Sequence, residues 1–390
     1  MAFILAIILT TSANLGEIHL TDNTVIKAEI VRVGRSHIEY RFSEDSEILE
    51  VYRDSVKKIV YPSGEILEFS SNENKLTNDN SFSFNDLSLK IGIKSEYLLG
   101  DTTYQLGGYY TTSTGKSGNA RFPLSELSFP VNTYNLSGMI SFIFLKNFTL
   151  STIMTFNLNK DPGKLKDYDW GIYYGDPEIP NATQNSLDIY SESKLKIKYQ
   201  FIETLLRYNS KLFSNFFFIS QLGYTRQNFS FEGKDAVQSY PSSEEYFAIK
   251  KANRFLEGTV ITYDANYNIL SFSGGLGYSF FDNFNTSLQF GFMPYVFIKD
   301  RDDHVIRYKL FESKTYGQGF LAIFETNYEI LSVVTISLAA AYKKISSTGR
   351  QTQTFYKTTE DANAGDTAEV DSKVFSVQNT ISIMVEYTLF

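Results

Sequence analysis

The segment from Thr380 to Leu389 sets the terms for the rest of the chain. Ile381, Ile383, Val385, Tyr387 and Leu389 interleave with Thr380, Ser382, Met384, Glu386 and Thr388, apolar on one parity and mostly polar on the other. Successive side chains of a strand point to opposite faces, so this segment has one greasy face and one wet face. The same texture runs from about residue 82 to the end of the sequence. Lipid-facing strands around a wet lumen read this way, and hydrocarbon tolerates strands only when closure leaves no unpaired edge. The aromatic content agrees, with 33 Phe and 27 Tyr against a single Trp. A spanning helix is excluded, because it needs roughly 18–20 uninterrupted apolar residues. The longest candidate, 330–342, is broken by Ser332, Thr335 and Ser337.

Ten strands are expected, at about 83–106, 124–144, 148–159, 185–208, 216–232, 252–280, 284–299, 317–330, 334–345 and 371–390. Tight connections fall at Lys146-Asn147, 208–214, Asp282-Asn283 and 331–333, and long ones at about 107–123, 160–184, 233–251, 300–316 and 346–370. Short and long connections alternate, so the long ones share one end of an even-stranded, antiparallel transmembrane β-barrel. In bacterial barrels that end faces outward and the short turns face the periplasm. Phe390 is an aromatic end of the kind such barrels use in assembly, one step off the apolar parity, so a local irregularity is expected there.

The residues before the barrel divide into three parts. The apolar run MAFILAIIL with Thr11 and Ala13 reads as a signal segment over 1–13, although no Lys or Arg precedes it. Residues 17–69 carry short alternating runs broken by Asp22-Asn23, Gly34-Arg35 and Pro62-Ser63-Gly64, which fits about five strands in a small SH3-like or Sm-like β-domain of the periplasm. The polar stretch 70–81 reads as a linker.

Zero Cys removes thiol nucleophiles and Cys-ligated metals. Three His (His19, His37 and His304) leave no multi-His metal site, and no metal or other cofactor is expected. The net charge of -8 argues against nucleic acid as a partner. Two acidic clusters carry what chemistry there is. The first is Lys166-Asp167-Tyr168-Asp169-Trp170, in the expected loop after the third strand. The second is Asp300-Arg301-Asp302-Asp303-His304, where the seventh strand enters its loop. Those strands are four apart in a ring of ten, so the clusters face each other across one opening.

In extended chain, Asp302 and His304 share a side, as do Asp167 and Asp169. A carboxylate can hold an imidazole in one tautomer and make it a general base. Two close carboxylates resist joint ionisation, so one keeps a proton. Water between the two pairs could then attack a peptide carbonyl. Acidic pairs in outer loops also mark solvated turns or loosely held calcium, and residue types leave that choice open. Parity raises a further demand. Phe284, Leu288, Phe290, Phe292 and Val296 face outward, and Asp300, Asp302 and His304 share their parity. A bulge is needed to turn the acidic group inward, and Pro294, which donates nothing to a ladder, is the place for it.

The stretch from about residue 82 to 390 resembles the omptin family of outer-membrane proteases. The resemblance rests on Asp167-Tyr168-Asp169-Trp170, on Asp302-Asp303-His304, and on Gly223-Tyr224 with Phe229-Ser230-Phe231. Asp282-Asn283-Phe284 and Tyr387-Thr388-Leu389-Phe390 are compatible with it. It implies a ten-stranded barrel with Asp302 and His304 as the water-activating dyad and Asp167 and Asp169 as the opposing pair. It implies too that Asp300 lines the pocket for a basic side chain and that lipopolysaccharide is an activator and partner. A second acidic residue of that pocket has no counterpart in Gly100-Asp101-Thr102-Thr103-Tyr104, so the preference for Arg or Lys is expected to be less strict. The family's run with a histidine in the second outer loop is missing from Pro177 to Ser186. The expectation is an outer-membrane endopeptidase acting on exposed cationic peptides. The rival is a non-enzymatic pore or adhesin carrying a periplasmic binding domain.

Overall fold

The computed structural model describes residues 15–34, 36–43, 46–69, 87–145, 147–247, 251–359 and 362–389. The expected signal segment 1–13, the linker 70–81, Lys146 and Phe390 lie outside them. The chain forms two compact units, residues 1–82 and 83–390.

The first unit has six short strands rather than the five expected: β1 (Gly16–Leu20), β2 (Val25–Val33), β3 (His37–Arg41), β4 (Leu49–Tyr52), β5 (Val56–Val60) and β6 (Ile66–Glu68). They form one antiparallel sheet in the order β4-β3-β2-β1-β5-β6. Alternation puts Ile18, Ala28, Ile38, Val56 and Ile59 in its core. Its histidines are occupied locally. His19 Nε2 lies 3.1 Å from Glu17, and the His37 ring packs 4.4 Å from Tyr52.

The second unit is a closed barrel. Its strands are β7 (Ser88–Thr112), β8 (Ser117–Asn119), β9 (Ser125–Pro130), β10 (Thr133–Phe144), β11 (Phe148–Asn157), β12 (Gly163–Trp170), β13 (Leu187–Phe213), β14 (Phe216–Ser239), β15 (Arg254–Phe281), β16 (Phe284–His304), β17 (Lys309–Leu331), β18 (Val334–Phe355) and β19 (Thr367–Thr388). The ring runs β7-β10-β11-β13-β14-β15-β16-β17-β18-β19 and closes because β19 pairs with β7. That makes the ten strands expected. Toward the end with the long connections, β9 and β12 replace β10 and β11 between β7 and β13. Asparagines take over the ladder where the wall changes strands. Tyr134 N donates to Asn159 Oδ1 at 2.7 Å, and Tyr199 N to Asn157 Oδ1 at 2.7 Å.

Several expected loops are strand instead. β14, β16 and β18 run on to Ser239, His304 and Phe355, and the expected loop 300–316 shrinks to residues 305–308 between β16 and β17. The turn expected at 208–214 is Ser214-Asn215, because β13 continues to Phe213. The acidic segment placed in a loop after the third strand is itself β12, hydrogen-bonded to β9 and β13. Polar alternation beyond the lipid does not announce a strand as apolar alternation does, yet an extended backbone still has donors and acceptors to satisfy, and the ladder satisfies them.

The outer wall carries an apolar band that includes Leu288, Phe290, Phe292, Phe320, Phe324, Ile381 and Ile383, all exposed. Farther toward the long connections the same face turns to Lys299, Arg301, Glu312 and Lys314. The lumen is not wet throughout. Phe129 of β9 stacks 4.7 Å from Tyr263 of β15, and Tyr104 of β7 lies 5.6 Å from Tyr263. These contacts join strands that are not neighbours, so rings fill the lumen. On the short-turn side lies a cavity of about 750 Å³ lined by Lys94, Glu96, Glu203, Arg207, Glu325 and Lys343, among others.

Candidate active site

The position of the acidic group on β16 follows from one irregularity. Ser287, Gln289 and Met293 point inward in odd register, whereas Val296, Ile298, Asp300 and Asp302 point inward in even register and are at most 1% exposed. Between them, β17 pairs Met293 with Gly319 and Val296 with Gly317, so Pro294 and Tyr295 oppose one residue. Both face outward. This is the expected bulge at Pro294, and it corrects the expectation that Val296 faces lipid, since the parity has already switched there. Gly317 is required opposite the bulge, because a Cβ on it would run into the backbone oxygen of Ser346.

The group sits beyond the apolar band, level with the charged part of the wall. His304 Nε2 lies 3.1 Å from Asp302 Oδ2. For a neutral ring facing an ionised carboxylate, which only accepts, this contact assigns the proton to Nε2 and the lone pair to Nδ1. The Phe311 ring packs 4.7 Å from the imidazole and limits its rotation. Asp302 is fully buried, with Oδ1 unpartnered among the described residues. Two residues earlier, Asp300 accepts a hydrogen bond from Ser313 Oγ and also has a free buried oxygen. Burial pushes its carboxyl up to about 7, with the nearby Asp302 charge adding to the rise.

Across the mouth, β12 presents Asp167 and Asp169 on its inner face, with Lys164 and Lys166 exposed outside. Ladder partners on both sides hold it: Asp167 pairs with Leu127 of β9 and Ser191 of β13. Burial, together with the Asp169 charge, raises the Asp167 carboxyl to about 7. The charges of Arg307 and His304 oppose that rise. Asp167 therefore lies within electrostatic reach of both dyad residues.

Arg307 is the residue that sequence reasoning passed over. It ends a short 3-10 turn, Val305–Arg307, directly after His304, and its Nη2 lies 3.4 Å from Asp169 Oδ2. The available signal was a cation three residues beyond the histidine in a connection too short to swing away. Among the described residues, β7 turns no second carboxylate into the lumen at this level. That strand turns Thr102 and Tyr104 inward, both at most 1% exposed, while Asp101 faces outward. Among the described residues, no group of three or more His, Cys, Asp or Glu has the arrangement of a metal site.

The arrangement offers an oriented imidazole, an acidic pair of which Asp169 is buried and Asp167 half-buried and able to hold a proton near neutrality, and a cation paired with Asp169. A family model described as the Omptin family matches residues 116–389. Among solved structures, the outer membrane protease OmpT from Escherichia coli aligns with TM-score 0.59 and 14% identity, over 80% of this chain and 99% of that one. The translocator domain of the autotransporter NalP from Neisseria meningitidis aligns with TM-score 0.33 and 8% identity, over 77% and 88%. OprG from Pseudomonas aeruginosa aligns with TM-score 0.32 and 10% identity, over 76% and 95%. No curated protein sequence matches.

Proposed function

The chain belongs to the omptin family of outer-membrane proteases, and from that premise we propose an endopeptidase that hydrolyses exposed peptides with water activated by Asp302 and His304 opposite Asp167 and Asp169. The observation that carries this reading is the single electrostatic cluster at the mouth. His304 bonds Asp302, Arg307 bonds Asp169, and Asp167 responds to the charges of all four.

In the proposed reaction Asp302 fixes the tautomer and Nδ1 of His304 takes a proton from water. The water oxygen bonds to the peptide carbon as the carbonyl electron pair moves onto oxygen. Asp167, protonated near neutrality, donates a hydrogen bond to that oxygen. The imidazolium returns its proton to the amine as the C–N bond breaks. No Ser or Cys nucleophile enters.

Asp300 supports a subsite for a basic side chain near the cut bond. With Thr102 and Tyr104 in place of a second carboxylate, the proposal includes a less strict preference for Arg or Lys. The net charge of -8 favours cationic peptides by long-range attraction. In this reading the protein sits in the bacterial outer membrane with the long-connection end outward, residues 17–69 form a periplasmic domain, and lipopolysaccharide is partner and activator. The rival passive pore is disfavoured by the rings of Tyr104, Phe129 and Tyr263 packed across the lumen.

The test is hydrolysis of cationic fluorogenic peptides in lipopolysaccharide-containing micelles by wild type, His304→Ala and Asp167→Ala. Cleavage lost in both variants supports the protease. Equal signals from all three proteins, or none from wild type, would favour a passive barrel or adhesin.

A further inference from the structure

A pair of carboxylates is a poor neighbour for an oxygen that is gaining negative charge. If Asp167 holds a proton, it can donate one hydrogen bond, but Asp169 beside it still repels the oxyanion. Hydrolysis at this mouth calls for a compensating positive group that is in place before the reaction, since preorganised donors are among the largest contributors to such transition states.

Arg307 fits that requirement by position. The turn Val305–Arg307 leaves it three residues from His304, and Tyr308 closes the turn in the left-handed region at φ 53°. The connection from β16 to β17 is only residues 305–308, so the guanidinium stays near the dyad. It reaches across to β12, where Nη2 meets Asp169 Oδ2 at 3.4 Å. A guanidinium carries five N–H donors. Apart from this bond, those of Arg307 have no hydrogen-bond partner among the described residues, and the side chain is 49% exposed. The group is anchored at one nitrogen to Asp169 of β12 and half-exposed at the rest, on the turn that directly follows His304.

Resting on the protease reading above, we propose that Arg307 is a catalytic residue: anchored by Asp169, it donates its free N–H groups to the carbonyl oxygen as that oxygen becomes an oxyanion. As water loses its proton to His304 Nδ1 and the new C–O bond forms, the displaced π pair rests on an oxygen facing Arg307. When the C–N bond breaks, that pair reforms the carbonyl and the imidazolium proton leaves with the amine. Arg307 exchanges no proton. This gives the acidic pair a second task, because Asp169 aims the cation while Asp167 donates a hydrogen bond.

The experiment compares steady-state hydrolysis by wild type, Arg307→Met, Arg307→Lys and Arg307→Ala in lipopolysaccharide micelles, with folding checked by heat-modifiable gel mobility. Arg307→Met is expected to lower kcat by about 10²–10³-fold, the loss typical of an oxyanion donor, with KM changed by less than about threefold. Arg307→Lys should recover part of that loss, and added guanidinium should raise the rate of Arg307→Ala but not that of Arg307→Met, whose side chain fills the space. A variant as fast as wild type, or faster, would make Arg307 a spectator or a self-blocking latch and overturn the proposal. A loss confined to KM, or an Arg307→Lys as slow as Arg307→Met together with no guanidinium response, would also overturn it. A wild type inactive on every peptide would instead remove the protease reading on which the proposal rests.

Discussion

The two ends of the barrel lumen are both lined with charge, and they treat it in opposite ways. In the cavity near the short turns, the carboxylates of Glu96, Glu203 and Glu325 each have a partner. Lys94 Nζ lies 2.7 Å from Glu96, Arg207 lies 3.1 Å from Glu325, and Thr225 donates to Glu203 at 2.9 Å. At the mouth, among the described residues, Asp167, Asp169, Asp300 and Asp302 have only Arg307 and His304 as ion-pair partners, and an oxygen on each of Asp167, Asp300 and Asp302 is buried without a partner. Buried polar groups in folded proteins are ordinarily satisfied, so exceptions ask for an explanation beyond stability. The matched end reads as architecture and the unmatched end as chemistry.

The strongest way to break that contrast is to reverse the parity of β16 beyond the bulge that makes the mouth acidic inside. Deleting Phe297, with Pro294 and Tyr295 retained, shifts every later residue of the strand by one and turns Asp300, Asp302 and His304 toward the outside. Peptide hydrolysis is expected to vanish while the ten-strand barrel still assembles, as checked by gel mobility. Retained cleavage would mean that those residues are not the site. Asp302→Asn should come next, losing about 10⁴-fold in kcat if it fixes the imidazole tautomer as the aspartate of a serine-protease triad does.

These two changes also show what the sequence could and could not reveal. Period-two alternation in segments such as 380–389 made the barrel legible, because lipid enforces it residue by residue. The pairings Asp167/Asp169 and Asp302/His304 were legible because i, i+2 spacing in extended chain puts side chains on one side. The bulge could be inferred from a conflict of parity together with Pro294. The length of the strands beyond the lipid was not legible, since water imposes no apolar face there. The filled lumen was hidden as well, because Phe129, Tyr263 and Tyr104 meet only after the ring closes. Arg307 went unnoticed because its partner lies on β12, more than a hundred residues earlier.

Asp300 sharpens the contrast at smaller amplitude. Its folded carboxyl is raised to about 7 by burial, against an ordinary value of 3.8. A raised carboxyl stabilises the fold below the ordinary value, and that contribution fades as pH rises through about 7. Asp300→Asn should therefore raise the unfolding temperature at pH 8 and leave it nearly unchanged at pH 4, as scanning calorimetry in detergent would show. The same variant should cut Arg-containing peptides roughly 10–100-fold less efficiently, consistent with the 1.5–3 kcal/mol of a charged hydrogen bond. An unchanged pH dependence of stability would argue that Asp300 is ionised and paired.

The pH profile gives a subtler test of the acidic pair. Because Asp167 must hold its proton, the rate should fall as pH rises through about 7. The Asp169 charge contributes to that raised value, so in Asp169→Asn the fall should begin at lower pH. Arg307, His304 and Asp302 also face Asp167, and of these Arg307 loses its charged anchor in this variant, which leaves its positive charge free to lower the Asp167 carboxyl in the same direction. A limb that does not move would show that the pair does not share its titration. The smallest effect belongs to the matched end. Glu325→Gln should lower the urea midpoint while changing hydrolysis by less than about threefold, as expected of a distant, independent site.

In the proposed reaction β12 and the end of β16 form one site around one water. A double-mutant cycle on kcat between Asp167→Asn and His304→Ala tests it most directly. Residues that act as a unit are grossly non-additive, so the double variant is predicted to be no slower than His304→Ala alone, within about threefold. If the two losses multiply in full, the acidic pair and the dyad work apart, and the account of a shared water is wrong.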